Sequence, residues 1–281
     1  MTRVVVPIYN APAATQRCLA ALTRHTDPST PVVLINDAST DPQMASVIAA
    51  SVANAPQTWQ VVTNDTNIGF VGSANLGLAL TAPDDAVLLN ADAEVTEGWL
   101  DAMRACMASD PAIASVSPLT NHGEIASIPT FCQPNPYPAD PNAWARACRC
   151  AEFDQADSGW VDVPTTVGFC MLIRRSALDT VGFFDEAAFG RGYGEENDWC
   201  QRALAHGFRH VLCDRAFVAH EGGASFGPLG LAPGGQAMAT LLERYPNYEA
   251  DVARFIEQDP MAKRRQRIVE SYQKTAHNGA P

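Results

Sequence analysis

The sequence predicts an α/β fold: a Rossmann-like, mostly parallel central sheet flanked by helices, with a helical C-terminal extension. Three observations carry this. Short apolar runs alternate with segments of helical periodicity through the first third of the chain. Each of the first four apolar runs stops abruptly at a polar loop. From Ala232 to Gln273 the pattern is helical almost without interruption.

Taken in order, Arg3 to Val6 reads as a first strand, ended by Pro7 and the loop Ile8 to Pro12. Cys18, Leu19 and Leu22 give Thr15 to His25 a helical spacing. Pro31 to Ile35 is a second strand, Ala45 to Ala53 a helix and Gln60 to Thr63 a third strand. Val71 to Leu80 is a helix, and Ala86 to Leu89 is a fourth strand, apolar enough to be covered on both faces. This alternation predicts parallel strands with helices on either side. Trp99 to Met107 follows as helix and Ile113 to Val116 as strand. The prolines between Pro129 and Pro141 predict that residues 120–160 are irregular, with Trp144 as an anchor. Strands return at Gly168 to Ile173, Phe208 to Leu212 and Ala216 to Ala219. A glycine-rich loop around Tyr193 opens a helix from Glu195 to Ala205. Tyr245 to Tyr248 interrupts the terminal helices.

With 281 residues, the chain is long enough for one large α/β domain. A net charge of -12 argues against general nucleic-acid binding, which needs a basic face. No apolar run approaches a membrane span, and a strand follows Met1-Thr2-Arg3 directly, so a cytoplasmic protein is expected. The eight cysteines then read as reduced thiols. No CxxC or Cys/His spacing supports zinc at Cys132, Cys148 and Cys150. The run Lys263 to Arg267 reads as a solvated helix face or as a peripheral contact with an anionic membrane.

The strand ends are the informative places. Parallel strands put Tyr9-Asn10, Asn36-Asp37, Asn64 to Asn67 and Asn90 to Asp92 on one edge, where open α/β sheets bind ligands. Asp92 offers a hard cation the oxygen it prefers, or else caps a helix beginning near Thr96. Neither a G-x-G-x-x-G fingerprint nor a Walker loop is present, so NAD and ATP are not bound in their usual ways. Glu195, Glu196 and Asp198 at a helix start suit the helix dipole, so a structural reading of them exists.

The ordered segments VVVPIYN, INDASTD, NIGFVGSAN, LLNADAEV, GFFDE, EENDWCQRA and then His220 resemble the family 2 glycosyltransferases, nearest to bacterial rhamnosyltransferase-like members. The resemblance covers roughly residues 3–225 and implies a GT-A fold over 1–228, followed by a helical extension over 229–281. It implies an inverting, metal-dependent transfer of sugar from a nucleoside-diphosphate donor (UDP-, dTDP- or GDP-linked) to a glycan, lipid-linked or protein hydroxyl. The setting it suggests is bacterial glycoconjugate synthesis. Pro7, Tyr9 and Asn10 would border the nucleotide, Asp37 its base, and Asn67 and Gly69 the nucleotide and donor sugar. Asn90 would bond the ribose, while Asp92 and His220 hold Mn²⁺ or Mg²⁺. Glu196 falls where relatives carry their general base as Asp; Asp198 ends the same motif, and Glu195 or Asp198 is an alternative base. Two rivals remain. A nucleotidyltransferase would carry a basic loop after the first strand, and Pro7 to Pro12 has no basic residue. A non-catalytic nucleotide-sugar-binding or scaffold protein would accommodate Asn at 90 and Glu at 196.

Overall fold

The computed structural model describes residues 1–56, 58–151, 159–190, 192–222 and 235–278, with side chains described to 275. The N-terminal half runs β1 (Thr2–Ile8), α1 (Pro12–His25), β2 (Val32–Asn36), α2 (Met44–Ala53), β3 (Trp59–Thr63), α3 (Gly69–Leu80) and β4 (Asp85–Leu89). It continues with β5 (Ala93–Val95), α4 (Trp99–Ala108) and β6 (Ile113–Leu119). Then follow α5 (Pro141–Cys150), β7 (Trp160–Val163), β8 (Cys170–Ile173), α6 (Arg175–Val181), α7 (Glu186–Phe189), α8 (Glu195–Ala205) and β9 (Arg209–His220). Three helices close the chain: α9 (Gly235–Arg244), α10 (Tyr248–Gln258) and α11 (Ala262–Asn278).

The sheet order is β3-β2-β1-β4-β8-β6-β9-β5, with β7 also on β9. The first four strands are parallel, as expected from the βαβ alternation. Beyond them the sheet is mixed: β8 is antiparallel to β4 and β6, while β6 and β9 are parallel. Alternate residues of the central strands feed opposite layers, as the two-residue strand period requires. Val4, Val6, Val87 and Leu89 pack with Leu19, Leu22, Met44 and Trp99 of α1, α2 and α4. Val5, Ala86 and Leu88 pack with Val71, Leu78 and Trp199 of α3 and α8. Gly77 permits the close approach of α3 to β1, because a Cβ there would lie 2.1 Å from Val5 Cγ1.

Several expectations need correction. Pro7 does not end the first strand; it pairs with Ile35. It lies past the last β1–β4 pair, Val5–Leu88, so its missing N–H falls where that ladder has already stopped. The expected strands at 208–212 and 216–219 are one strand, β9, whose pairing jumps from Pro118–Cys213 to Leu119–Phe217. The polar Asp214-Arg215 that divided the pattern sits in this bulge. Residues 120–159 are not simply irregular. Asp140 caps α5 by accepting the Asn142 N–H at 3.0 Å, and Pro141 occupies the first turn, where its missing N–H has no cost. Trp144 does anchor this segment: it stacks 4.0 Å from Tyr272 and 6.0 Å from Phe217.

Trp144 shares a third core with Phe255, Met261 and Ile268, so α10 and α11 are packed onto the sheet domain. The basic run on α11 is partly consumed in that packing. Arg264 pairs with Asp214, and Arg265 pairs with Asp259 and lies 4.6 Å over Phe131. Those two cations turn inward, which removes them from any face offered to an anionic surface. No helix among the described residues is long and apolar enough to cross a membrane.

Candidate active site at the carboxyl edge of the sheet

Loops from four neighbouring strands build the site, and hydrogen bonds knit them together. Asn10 adopts a left-handed backbone (φ 55) after β1, and its Oδ1 accepts the N–H groups of Thr40 and Asp41 at 2.9 Å. This ties the first loop to the second. Tyr9 lies beside it, half-buried. Asp37 is 3% exposed and clamps the third loop. Its carboxylate accepts the N–H groups of Ile68 and Gly69 at 2.9 and 2.8 Å, and the Asn64 amide at 2.8 Å. Asn67 returns a bond to the Asp37 carbonyl at 3.3 Å. Gly69 needs its φ of 80 to open α3 at this point. These residues form a rigid rim at one end of the edge.

Asp92 and His220 meet at the other end. Asp92 does not cap a helix near Thr96; α4 begins later, behind Gly98. Asp92 instead precedes β5, which pairs antiparallel with β9 so that Ala93 faces His220. That register brings His220 Nε2 to 3.3 Å from Asp92 Oδ1, with Asp92 8% exposed. Burial opposes the charged imidazole, but the Asp92 carboxylate and the His122 carbonyl outweigh it and raise the His220 pKa. The backbone of His220 is held at both ends by Asn121, whose Oδ1 accepts its N–H at 2.9 Å and whose amide donates to its carbonyl at 2.9 Å. The ring stacks on Phe169 at 4.8 Å.

His220 Nδ1 lies 2.8 Å from the His122 carbonyl, which only accepts, so Nδ1 carries the proton. Nε2 is therefore the ring nitrogen that faces Asp92. It is buried without an aligned partner among the described residues, and so is Asn90 Oδ1. A histidine held this way by a carbonyl is prepared for a cation. Asp92 and His220 are the two side chains here that could hold a Mn²⁺ or Mg²⁺ ion, with its remaining positions left to phosphate oxygens and water. No group of three or more acidic, cysteine or histidine side chains gathers around one point among the described residues. Cys148 is buried, Cys150 exposed and Cys132 half-buried, all as free thiols.

A cavity of about 720 Å³ runs between His220 and the acidic helix start, with Asn90, Tyr193 and Glu196 also lining it, while Asp92 lies behind His220 outside the lining. Tyr193, itself in the left-handed region (φ 69), feels the charges of Asp92, Glu195 and Glu196 after burial, and its hydroxyl pKa is raised. Burial lifts Glu196 from 4.5 to about 7, against the pull of the first-turn amides. Burial and then the neighbouring Glu196 raise Glu195 further. Gly168 leaves room for this side chain, since a Cβ there would sit 3.4 Å from Glu196 Cγ. Helix α8 is braced from behind by His210, whose ring reaches Ser115 Oγ at 2.7 Å and the Cys200 carbonyl at 2.9 Å.

Asp198 is differently placed. It is fully buried, and its carboxylate takes Arg202 Nε at 2.8 Å, Arg244 Nη1 at 2.8 Å and the Tyr245 hydroxyl at 3.0 Å. With both oxygens engaged by cations or a hydroxyl, it ties α9 to α8. Of the three acids the sequence set forward, Glu195 and Glu196 line the cavity and Asp198 does not. Asn121, His122, Phe169 and Tyr193 were not singled out from the sequence. Asn121-His122 is one more polar strand end, after β6, and could have been found had that strand been extended past Val116.

Sheet order, strand-end loops and the paired Asp92 and His220 define a GT-A glycosyltransferase domain. Residues 3–182 match the family model described as glycosyl transferase family 2, and the chain belongs to that family. Two curated relatives from Mycobacterium tuberculosis, strains CDC 1551 / Oshkosh and ATCC 25618 / H37Rv, are N-acetylglucosaminyl-diphospho-decaprenol L-rhamnosyltransferases. Each is 27% identical over 252 residues, covering 80% of this chain and 77% of the relative. Among solved structures the fold is similar to GalNAc-T7 with UDP, GalNAc and Mn²⁺ (TM-score 0.62, 16% identity, 89% of this chain and 50% of that one). It is also similar to S. aureus TarS 1-349 with UDP-GlcNAc (TM-score 0.60, 15% identity, 91% of this chain and 71% of that one). A third is the Pyrobaculum calidifontis mannosyltransferase PcManGT with GDP-Man and Mn²⁺ (TM-score 0.56, 15% identity, 100% of this chain and 76% of that one).

Proposed function

We propose that this protein is an inverting, Mn²⁺- or Mg²⁺-dependent glycosyltransferase that moves a sugar from a nucleoside-diphosphate donor to a hydroxyl of a lipid-linked glycan. One observation carries the reading: a His220 ring anchored through Nδ1 to a carbonyl, with Nε2 facing Asp92, in the same cavity that Glu196 lines. The mycobacterial relatives, rhamnosyltransferases of N-acetylglucosaminyl-diphospho-decaprenol, and the structural neighbours bound to GDP-Man with Mn²⁺ and to UDP-GlcNAc, support the substrate class.

In this reading Asp92 and His220 hold the metal, which would neutralise the departing diphosphate. Asp37, through the Asn64 to Gly69 loop it clamps, shapes the nucleotide end with Pro7, Tyr9, Asn10, Asn67 and Gly69. Asn90 offers its unpartnered Oδ1 to a ribose or sugar hydroxyl. Glu196 Oε takes the acceptor proton as the hydroxyl oxygen attacks the anomeric carbon in line, and the C–O bond to the diphosphate breaks. A pKa near 7 suits that task, because the base is mostly ionised at neutral pH yet still basic enough to hold the proton. Asp198 acts as a positioning residue for α8. Work on a lipid-linked acceptor implies a cytoplasmic setting close to the inner membrane face.

The test is incubation of purified protein with dTDP-, UDP- and GDP-linked sugars, an N-acetylglucosaminyl lipid acceptor, and Mn²⁺, Mg²⁺ or EDTA. Transfer that requires the metal and inverts the anomeric centre, read by mass spectrometry and NMR, supports the proposal. Donor binding with neither transfer nor donor hydrolysis favours the non-catalytic scaffold.

A further inference from the structure

We propose that the cavity beside Glu196 selects its acceptor by charge: it seats an uncharged sugar unit against an apolar wall and rejects an anionic one. The proposal rests on the glycosyl-transfer reading above and concerns the side of the site away from Asp92.

Two kinds of lining meet there. One is aliphatic, from Met238 and Leu241 of α9 and Val252 and Ile256 of α10. The other is acidic, with Glu195 and Glu196 at the start of α8, Glu124 from the loop after β6, and Glu249 at the start of α10. Among the described residues that line the cavity there is no lysine or arginine. A carboxylate or phosphate entering from this side would pass the exposed carboxylates of Glu124 and Glu249 and find no lysine or arginine to pair with. Glu195 is 4% exposed, lines the cavity, and its Oε2 has no hydrogen-bond partner among the described residues. A buried polar atom of this kind is costly unless something completes it. A sugar hydroxyl is the right chemistry: it hydrogen-bonds without adding charge, while the C–H face of the ring covers the aliphatic wall. The diphosphate of a lipid-linked acceptor would therefore lie outside, beyond Glu124 and Glu249, which are both exposed at the rim.

Binding of two matched probes tests this: octyl N-acetylglucosaminide, which is neutral, and octyl glucuronide, which is anionic. Each is titrated calorimetrically into the full chain with Mn²⁺ and UDP or dTDP present. The glucuronide should bind at least about tenfold more weakly, with the gap narrowing as salt screens the rim charges. In the double variant Glu124→Gln, Glu249→Gln, at exposed positions that leave folding intact, the gap should shrink to about threefold or less. Met238→Ser should weaken the neutral probe without altering the gap. Equal binding of the two probes, an unchanged gap in the double variant, or no binding of the neutral probe would overturn the proposal. Failure of the enzymatic reading is separately visible, as absent transfer with the binding order preserved.

Discussion

Replacing Glu196 by Gln should do two opposite things, and their combination is diagnostic. The variant removes the carboxylate while keeping its size, so donor binding at Asp92 and His220 should persist. Loss of a positioned general base costs about 10²- to 10⁴-fold in turnover. The wild-type rate should rise about tenfold per pH unit below about 7 and level off above it, because only ionised Glu196 accepts the proton; the variant should lose that dependence. Stability moves the other way. The folded pKa, about 7, lies above the ordinary 4.5, so the folded protein holds this proton more tightly than the unfolded chain does. Stability contributed by the protonated form is complete below pH 4.5 and is lost as the pH rises through 7. A difference of that size corresponds to about 3 kcal/mol. The first-turn amides are already contained in that folded pKa, so at pH 8 the Gln variant should be about 3 kcal/mol more stable than wild type, several degrees in Tm; at pH 4 the two should coincide. Transfer assays across pH 5–9 and paired thermal melts at pH 4 and 8 read both effects. Turnover within about tenfold of wild type would refute the base assignment. A variant no more stable at pH 8 would refute the burial argument behind the raised pKa.

Three further outcomes follow from the same geometry. His220→Gln or Asp92→Asn should abolish Mn²⁺-dependent nucleotide binding by calorimetry, and Asn121→Ala, which frees the backbone of His220, should weaken it about 10- to 100-fold. Asp198→Asn removes the buried carboxylate from Arg202 and Arg244, of which Arg244 keeps Asp185, and should cost about 1–3 kcal/mol in urea unfolding; a loss under 1 kcal/mol would show that this cluster does not hold α9 onto α8. Gly77→Ala should cost about 1–3 kcal/mol from the clash with Val5, with the metal site untouched, so a variant of wild-type stability would mean that α3 can move away from β1.

Sequence alone was enough for what depends on local pattern. The two-residue and helical periods located the first four strands and their helices, since each apolar position there answers to one of two core layers. The polar residues ending β1, β2, β3 and β4 marked the sheet edge on which the candidate site lies, because a strand tip needs no Asn or Asp for packing alone. Glycosyl transfer was legible through the ordered motifs. Long-range pairing was not. That Asp92 opens a strand rather than capping a helix follows from the register of β5 against β9, two segments more than a hundred residues apart, and no local propensity encodes it. The same holds for Asp198. Its spacing from Glu196 suggested chemistry, but Arg244 and Tyr245 arrive from a helix beyond the sheet domain and take up its carboxylate. Periodicity can say which residues are buried; which buried carboxylate keeps a free oxygen is decided only when the whole chain has packed around it.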